Sequence, residues 1–400
     1  MQEFKHDLLG RISEMNSGTA QTILYDQAGR LTGRVEKATG TPLSNYIYDP
    51  NGNRIKGEED GISFTATYDA QDRVITYNSN SYTYNINGQR QSKTNAGGTT
   101  NYTFDTLGNL TAVSTPSKTI QYIIDGYGRR VAKIENGFVT RYYLWQDQLK
   151  LAAELNGAGQ LIKRYVYTNN EHSPDYMLYQ GNYFVFIKDH RGSILNVLNA
   201  RTGQVMQSLK YSDWGKVIQD SNPGYQPFGF AGGMYETDTG LVHFGAREYD
   251  PEVGKWISKD PILFEGGDTN LYGYVLNDPV NFIDPDGKFA IALIPALPAI
   301  GAAIEGIVVA GSAIVAGWGI SEGINYYNQK RPFPQGPPDG SVTLPNGDKR
   351  IYDGNGNPVR DEDWGHDRGH GVPHVHDWIP KPGGGFSRGP GRPPKPGECK

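Results

Sequence analysis

Cysteine is almost missing from this chain. The one that exists, Cys399, lies next to the last residue, so no intrachain disulfide is available and cysteine usage says nothing about compartment. An export signal is missing as well: the opening residues, MQEFKHDLLGRISEMNSG, hold no apolar stretch of the kind a secretory signal needs. Secretion or surface display by a non-classical route, or descent from a longer chain, is therefore the expectation. Neither sign of charge dominates. Thirty-eight Lys and Arg against 43 Asp and Glu leave a net charge of −5, and no long basic run appears, which argues against a chain-wide nucleic-acid surface while leaving a small domain free to differ. Phenylalanine, at 14, is scarce beside 26 tyrosines, and 52 glycines are about twice the ordinary share. That balance favours strands joined by tight turns over helices. Four hundred residues suffice for two or three domains with a substantial core.

A repeat governs the first third. Tyr25-Asp26, Tyr48-Asp49, Tyr68-Asp69, Tyr84-Asn85, Phe104-Asp105 and Ile124-Asp125 recur at intervals of 23, 20, 16, 20 and 20 residues. A glycine stands four places after the first residue of each pair in five units, at Gly29, Gly52, Gly88, Gly108 and Gly128; the third unit has Asp72 there. The Asp or Asn side chain is suited to capping a turn through backbone two residues on, and glycine supplies a positive φ that closes a hairpin. Segments such as Ser44 to Tyr48, Ser63 to Tyr68 and Thr99 to Phe104 read as its strands. A period near 20 cannot bury its own apolar face, so neighbouring units must stack into an extended sheet. On this reading the aspartates are turn formers rather than catalysts.

These units resemble the YD repeats of RHS proteins, clearly from Leu24 to Val131 and less regularly through Arg141 to Trp145 and Arg164 to Tyr167. The resemblance implies a mainly β fold, hairpins stacked into a shell-like sheet that winds around its own C-terminal segment. So few repeats suggest the closing end of such a shell. The stretch from Gly240 to Gly287 is similar to the RHS repeat-associated core, on Gly245, Arg247, Tyr249-Asp250-Pro251, Gly254, Trp256, Ser258, Asp260-Pro261, Gly266-Gly267, Asn270-Leu271-Tyr272, Tyr274, Asn277, Pro279 and Asp284-Pro285-Asp286-Gly287. The expected division is a YD-repeat region at 1–170, the core at 171–287, an apolar Gly/Ala-rich linker or helix at 288–330, and a small variable domain at 331–400, α+β or irregular.

In that family two aspartates of the core act as an intramolecular aspartyl protease that frees the C-terminal segment. The resemblance makes Asp260 and Asp284 the candidate dyad, with Arg247 to anchor the cut strand or tune the pair, and places the cut just beyond Gly287. No cofactor is required. Paired carboxylates suit this chemistry because they cannot both ionise, leaving one to hold a proton while the other activates water. The chain departs from the family in three places: Leu263 stands where glycine is usual, Lys288 where leucine is usual, and the spacer between the two elements is longer. The plainer alternative is that Asp250, Asp260 and Asp284 are turn formers beside proline.

Composition changes abruptly after Gly287. Phe289 to Ile320 carries one charge, Glu305, and is long enough to span a membrane, though Glu305, Pro295 and Pro298 argue against a simple span. Gly306, Ala310, Ala313 and Gly317 place small residues on one helical face. A helix buried in the shell and a segment making transient membrane contact at 289–320 after release remain open.

From Ser321 on, the chain is rich in proline and glycine, and a short hairpin is expected from Ser341 to Val359. Four of the eight histidines follow close together, at His366, His370, His374 and His376, with Asp377 beside them. As a nuclease, one histidine would serve as base on a ribose hydroxyl and another as acid on the leaving oxygen. As a metal site, His370, His374 and His376 would hold zinc or another divalent ion with a place left for water. The third account is a His-rich loop that takes up metals adventitiously.

Small nuclease toxins used in interbacterial competition commonly follow an RHS core, which tips the balance towards a polymorphic toxin. Its expected partners are a secretion apparatus, an immunity protein, and nucleic acid as the effector's substrate. The alternative is a non-enzymatic surface or wall-associated repeat protein binding carbohydrate or protein partners.

Overall fold

Each Asp of the repeat builds its turn with its own carboxylate. Asp26 Oδ1 accepts the N–H groups of Ala28 and Arg30 at 2.9 and 3.0 Å, Oδ2 takes Arg30 Nε at 2.7 Å, and Gly29 closes the turn at φ +83°. Asp49, Asp69, Asn85, Asp105 and Asp125 repeat the two backbone bonds. In the third unit Asp72 takes φ +62° itself, a conformation Asp tolerates better than most residues. Three further turns of this kind, at Asp7, Asn156 and Asp189, lie outside the six units read from the sequence.

The computed structural model describes residues 3–168, 171–293, 341–343, 349–352, 358–363, 374–380 and 386–392. Twenty-two strands between Glu3 and Asp220 form one antiparallel sheet in which every strand pairs with the next along the chain. The sheet thus continues well past residue 170. Burial alternates along its strands, as in Pro42–Tyr48, where Ser44 and Tyr46 face inwards, and Thr119–Ile124, where Ile120 and Tyr122 do.

The tyrosines of the repeat staple hairpin to hairpin. Hydroxyls of Tyr25, Tyr48 and Tyr68 donate to the carbonyls of Ile12, Leu31 and Arg54 at 2.8, 2.6 and 3.0 Å, each reaching the strand that follows the preceding turn. Trp145 Nε1 does the same to Arg130 at 2.7 Å. A sheet of this many strands must curl. Its early and late hairpins meet: Arg34 pairs with Asp213 at 2.5 Å, and the rings of Phe4 and His190 lie 4.9 Å apart, edge to face.

The curled sheet encloses the segment that follows it. Phe230, Phe244, Tyr249, Trp256 and Tyr274 of that segment are all essentially inaccessible and share a core with Tyr46, Phe64 and Tyr82 of the sheet and with Trp214 from its last hairpin loop. Burying each such ring is worth roughly 1.5–3 kcal/mol. A four-stranded sheet, Met234–Glu236, Leu241–Phe244, Arg247–Asp250 and Lys255–Trp256, organises this segment.

Charge crosses the same interface. Where Ile12, Leu31 and Leu110 sit two places past the turn glycine, other units carry Arg54, Arg90 and Arg130, all buried. Their guanidinium carbons stack over Trp214 at 4.0 Å, Tyr82 at 4.5 Å and Tyr122 at 3.7 Å. Arg90 pairs with Asp250 at 2.5 Å, Arg130 with Glu248 at 2.7 Å, and Lys133 with Glu236 at 2.8 Å.

The chain divides into two compact units, Met1–Ala313 and Ile314–Lys400. In the second, the described strands Ser341–Thr343, Lys349–Tyr352, Pro358–Asp363, His374–Pro380 and Phe386–Arg392 make a five-stranded antiparallel sheet paired in chain order. The described residues of that part are all strand, and the remainder of the expected α+β or irregular domain lies outside them. Most of the expected apolar helix lies outside the described residues. Its first residues are no helix: Ile291–Ala292 is a strand paired with Phe282–Ile283. Among the described residues no helix is long and apolar enough to cross a membrane.

Candidate active site

Arg247 begins a strand of the four-stranded sheet, and the turn before it approaches the second Asp-Pro element closely. Gly245, at φ +45°, has no room for a side chain, since a Cβ there would stand 2.4 Å from the Asp286 carbonyl oxygen. Gly287, at φ +67°, is equally constrained against the Phe244 carbonyl. Ala246 N–H donates to the Asp286 carbonyl at 2.9 Å, completing the clamp.

The clamp brings the three expected residues together. Arg247 Nη2 lies 2.9 Å from Asp260 Oδ2 and 3.0 Å from Asp284 Oδ2, and the guanidinium carbon sits 4.0 Å from the centre of the Trp256 ring. All three side chains are buried. The first element forms the Asx turn the plainer reading expects, with Ile262 N–H on Asp260 Oδ1 at 3.0 Å. Leu263, in the usual glycine position, holds φ +54° all the same. Turn chemistry and carboxylate pairing coexist at Asp260.

The same groups grip the backbone just past Gly287. Arg247 Nε donates to the Gly287 carbonyl oxygen at 2.5 Å. Asp284 Oδ1 accepts Lys288 N–H at 2.9 Å and Phe289 N–H at 3.2 Å, and Asp286 Oδ1 accepts the same two groups at 3.0 and 3.2 Å. A Cβ on Gly266 would stand 2.8 Å from Asp260 Oδ2 and 3.1 Å from the Lys288 carbonyl oxygen, so this glycine lets Asp260 and Lys288 come near each other.

Burial pushes the Asp284 carboxyl up to about 7, against the pull of Arg247 and with Asp286 adding to the rise. Burial raises Asp260 as well, while Arg247 draws it down. A small cleft opens here, lined by Arg247, Asp260, Asp268, Asn270, Asp284 and Lys288. Behind it Lys255, fully enclosed, donates to Asn53 Oδ1 at 2.6 Å, and burial lowers its amine to about 8 despite the nearby Asp268.

Asp286 escaped the sequence reading because it occupies the variable place of the Asp-Pro-x-Gly element; an acidic residue there was the available signal. Lys255 and Asn53 lie 202 residues apart, and no local pattern links them.

Of the histidine cluster, His366 and His370 lie outside the described residues. His374 and His376 fall on one strand, paired with Asp363 and Asp361, while the exposed Asp377 pairs with Arg360. Among the described residues no group of three or more His, Cys, Asp or Glu is arranged to hold a metal ion.

The teneurin YD-shell family model matches residues 1–280, and the chain belongs to that family; it is an RHS/YD-repeat protein. Similar curated proteins include tRNA nuclease WapA of Bacillus subtilis (strain 168), 32% identical over 259 residues, covering 61% of this chain and 11% of WapA. Teneurin-1 of Gallus gallus is 28% identical over 277 residues, covering 66% of this chain and 10% of teneurin-1. This chain therefore spans about a tenth of the length of the curated relatives it matches. Among solved structures, TcdB2-TccC3-TEV aligns with a TM-score of 0.38 at 19% identity, over 71% of this chain and 19% of that one.

Proposed function

We propose that this chain is the C-terminal shell-and-core part of an RHS-type toxin, and that its core cuts its own backbone beside Lys288 to free the C-terminal unit. One observation carries the reading: the Gly287–Lys288 peptide is held on both sides, its carbonyl oxygen by Arg247 Nε and its N–H by Asp284 Oδ1. In this scheme Asp260 takes a proton from water, and the resulting hydroxide oxygen bonds to the Gly287 carbonyl carbon. Arg247 steadies the charge that gathers on the carbonyl oxygen. The carbon–nitrogen bond then breaks, and the departing amine takes the proton that burial keeps on Asp284. No metal or cofactor enters.

The test is N-terminal sequencing of whatever fragment accumulates when the purified chain is incubated. A new terminus at Lys288 supports the scheme; a terminus elsewhere, or a chain that stays whole, contradicts it.

For the freed unit, the relatives named as tRNA nucleases favour action on RNA over the other readings of the histidine cluster. His366, His370, His374, His376 and Asp377 are its assigned site. One histidine takes the proton of a ribose hydroxyl and another supplies one to the leaving oxygen. Zinc held by His370, His374 and His376 would be a metal-dependent variant of this site, and a chelator distinguishes the two. The full chain should degrade RNA, and His374→Ala should abolish this. Unchanged degradation in that variant overturns the role of His374. A secretion apparatus and an immunity protein are the partners this reading requires.

A further inference from the structure

We propose that Asp286 is a working member of the acid pair, sharing one proton with Asp284 at the backbone nitrogen of the bond to be cut, while Asp260 stands apart as the water-activating carboxylate. The inference rests on the self-cleavage reading and reassigns the pair within it. Asp284 and Asp260 were the natural dyad because each opens an Asp-Pro element. The geometry points elsewhere. Arg247 Nη2 sits between Asp260 Oδ2 and Asp284 Oδ2, at 2.9 and 3.0 Å, so the cation separates those two carboxyls and favours charge on both.

Among the described residues no cation bonds both Asp284 and Asp286. Their Oδ1 atoms converge on the same two donors, Lys288 N–H at 2.9 and 3.0 Å and Phe289 N–H at 3.2 Å each. The clamp on the Asp286 carbonyl and the positive φ of Gly287 fold the chain back so that both amides face both carboxyls.

Three carboxyls, those of buried Asp260 and Asp284 and of half-buried Asp286, therefore lie near two cations, Arg247 and the half-buried Lys288, with Asp268 also lining the cleft. Full ionisation would leave excess negative charge in a buried site, and two carboxyls converging on shared donors resolve this by keeping one proton between them. That proton lies beside the amide nitrogen that must acquire one when the bond breaks. Asp286 touches the reacting backbone directly, through the hydrogen bonds just given, and so qualifies as catalytic rather than merely structural. Hydrogen bonding and repulsion from Asp286 are among the influences that hold Asp284 protonated towards neutral pH.

The experiment compares self-cleavage of the full chain across pH for wild type and Asp286→Asn. Asparagine keeps an Oδ1 acceptor for both backbone N–H groups, so the turn retains its bonds. Its loss of charge lets Asp284 ionise at lower pH. The alkaline limb of the profile should move down by about one unit, with cleavage near neutrality roughly tenfold slower. A profile that superimposes on wild type overturns the assignment.

A second readout separates this failure from failure of the self-cleavage reading. Carbon-13 titration of the Asp284 carboxyl can be followed in both proteins whether or not either is cut. A lower midpoint in Asp286→Asn supports the shared proton even in an uncut chain; an unchanged midpoint removes it.

Discussion

Arg90 and Asp250 form a fully buried ion pair at 2.5 Å between residues 160 positions apart, one on the repeat sheet and one on the enclosed segment. The pair fixes one wall of the enclosure, and Arg130 with Glu248 and Lys133 with Glu236 repeat the device further along. Breaking such a pair from one side strands a buried charge. Asp250→Ala should therefore cost about 3–5 kcal/mol, read as a lower denaturant midpoint. A loss under about 1 kcal/mol would show that the pair is dispensable.

The repeat tyrosine predicts a smaller, local effect. Tyr48→Phe removes a hydroxyl that donates to Leu31 at 2.6 Å and should cost about 1 kcal/mol of unfolding free energy. Tyr127, 75% exposed at a turn tip, gives the control. Replacing it by serine should stay within about 0.5 kcal/mol of wild type.

Leu263 is half exposed and held at φ +54°, a conformation that costs leucine but not glycine. Leu263→Gly should raise stability by about 0.5–1 kcal/mol, strain relief outweighing the greater freedom of glycine in the unfolded chain. A lower midpoint would mean that the leucine side chain contributes more than its turn costs.

Much of this architecture was legible because it is local. A carboxylate that bonds two and four residues ahead, followed by a positive-φ glycine, leaves a pattern in the sequence, and the strands from Pro42, Ile62 and Gly98 begin within two residues of the expected segments. The enclosure was not legible in the same way. No local pattern marked Arg54, Arg90 and Arg130, which hold the inward place filled elsewhere by Ile12, Leu31 and Leu110, and Asp250 reads as a turn former. Its partner lies in another part of the chain, which no local spacing reports. The same holds at the candidate site: Arg247, Asp260 and Asp284 came from resemblance, whereas the part played by Asp286 depends on how Gly287 folds the backbone back on itself.

Acidity gives a test of the buried carboxyl. Asp284 in the folded chain is raised to about 7, above its unfolded value of about 3.9, so the unfolded chain releases this proton first. The stability this group contributes is fully present below about pH 4 and is lost as pH rises towards about 7. Measured against Asp284→Asn, which cannot titrate, wild type should lose relative stability across that window and level off above it. A constant difference between the two proteins would place the Asp284 carboxyl at its ordinary value.

The most direct measurement is the intact mass of the purified chain beside Asp260→Asn and Asp284→Asn. Self-cleavage predicts two wild-type fragments that meet beside Lys288 and a single full-length species for each variant. A wild-type chain that stays whole under conditions where it is folded would contradict the account, leaving Arg247, Asp260 and Asp284 as a buried structural cluster.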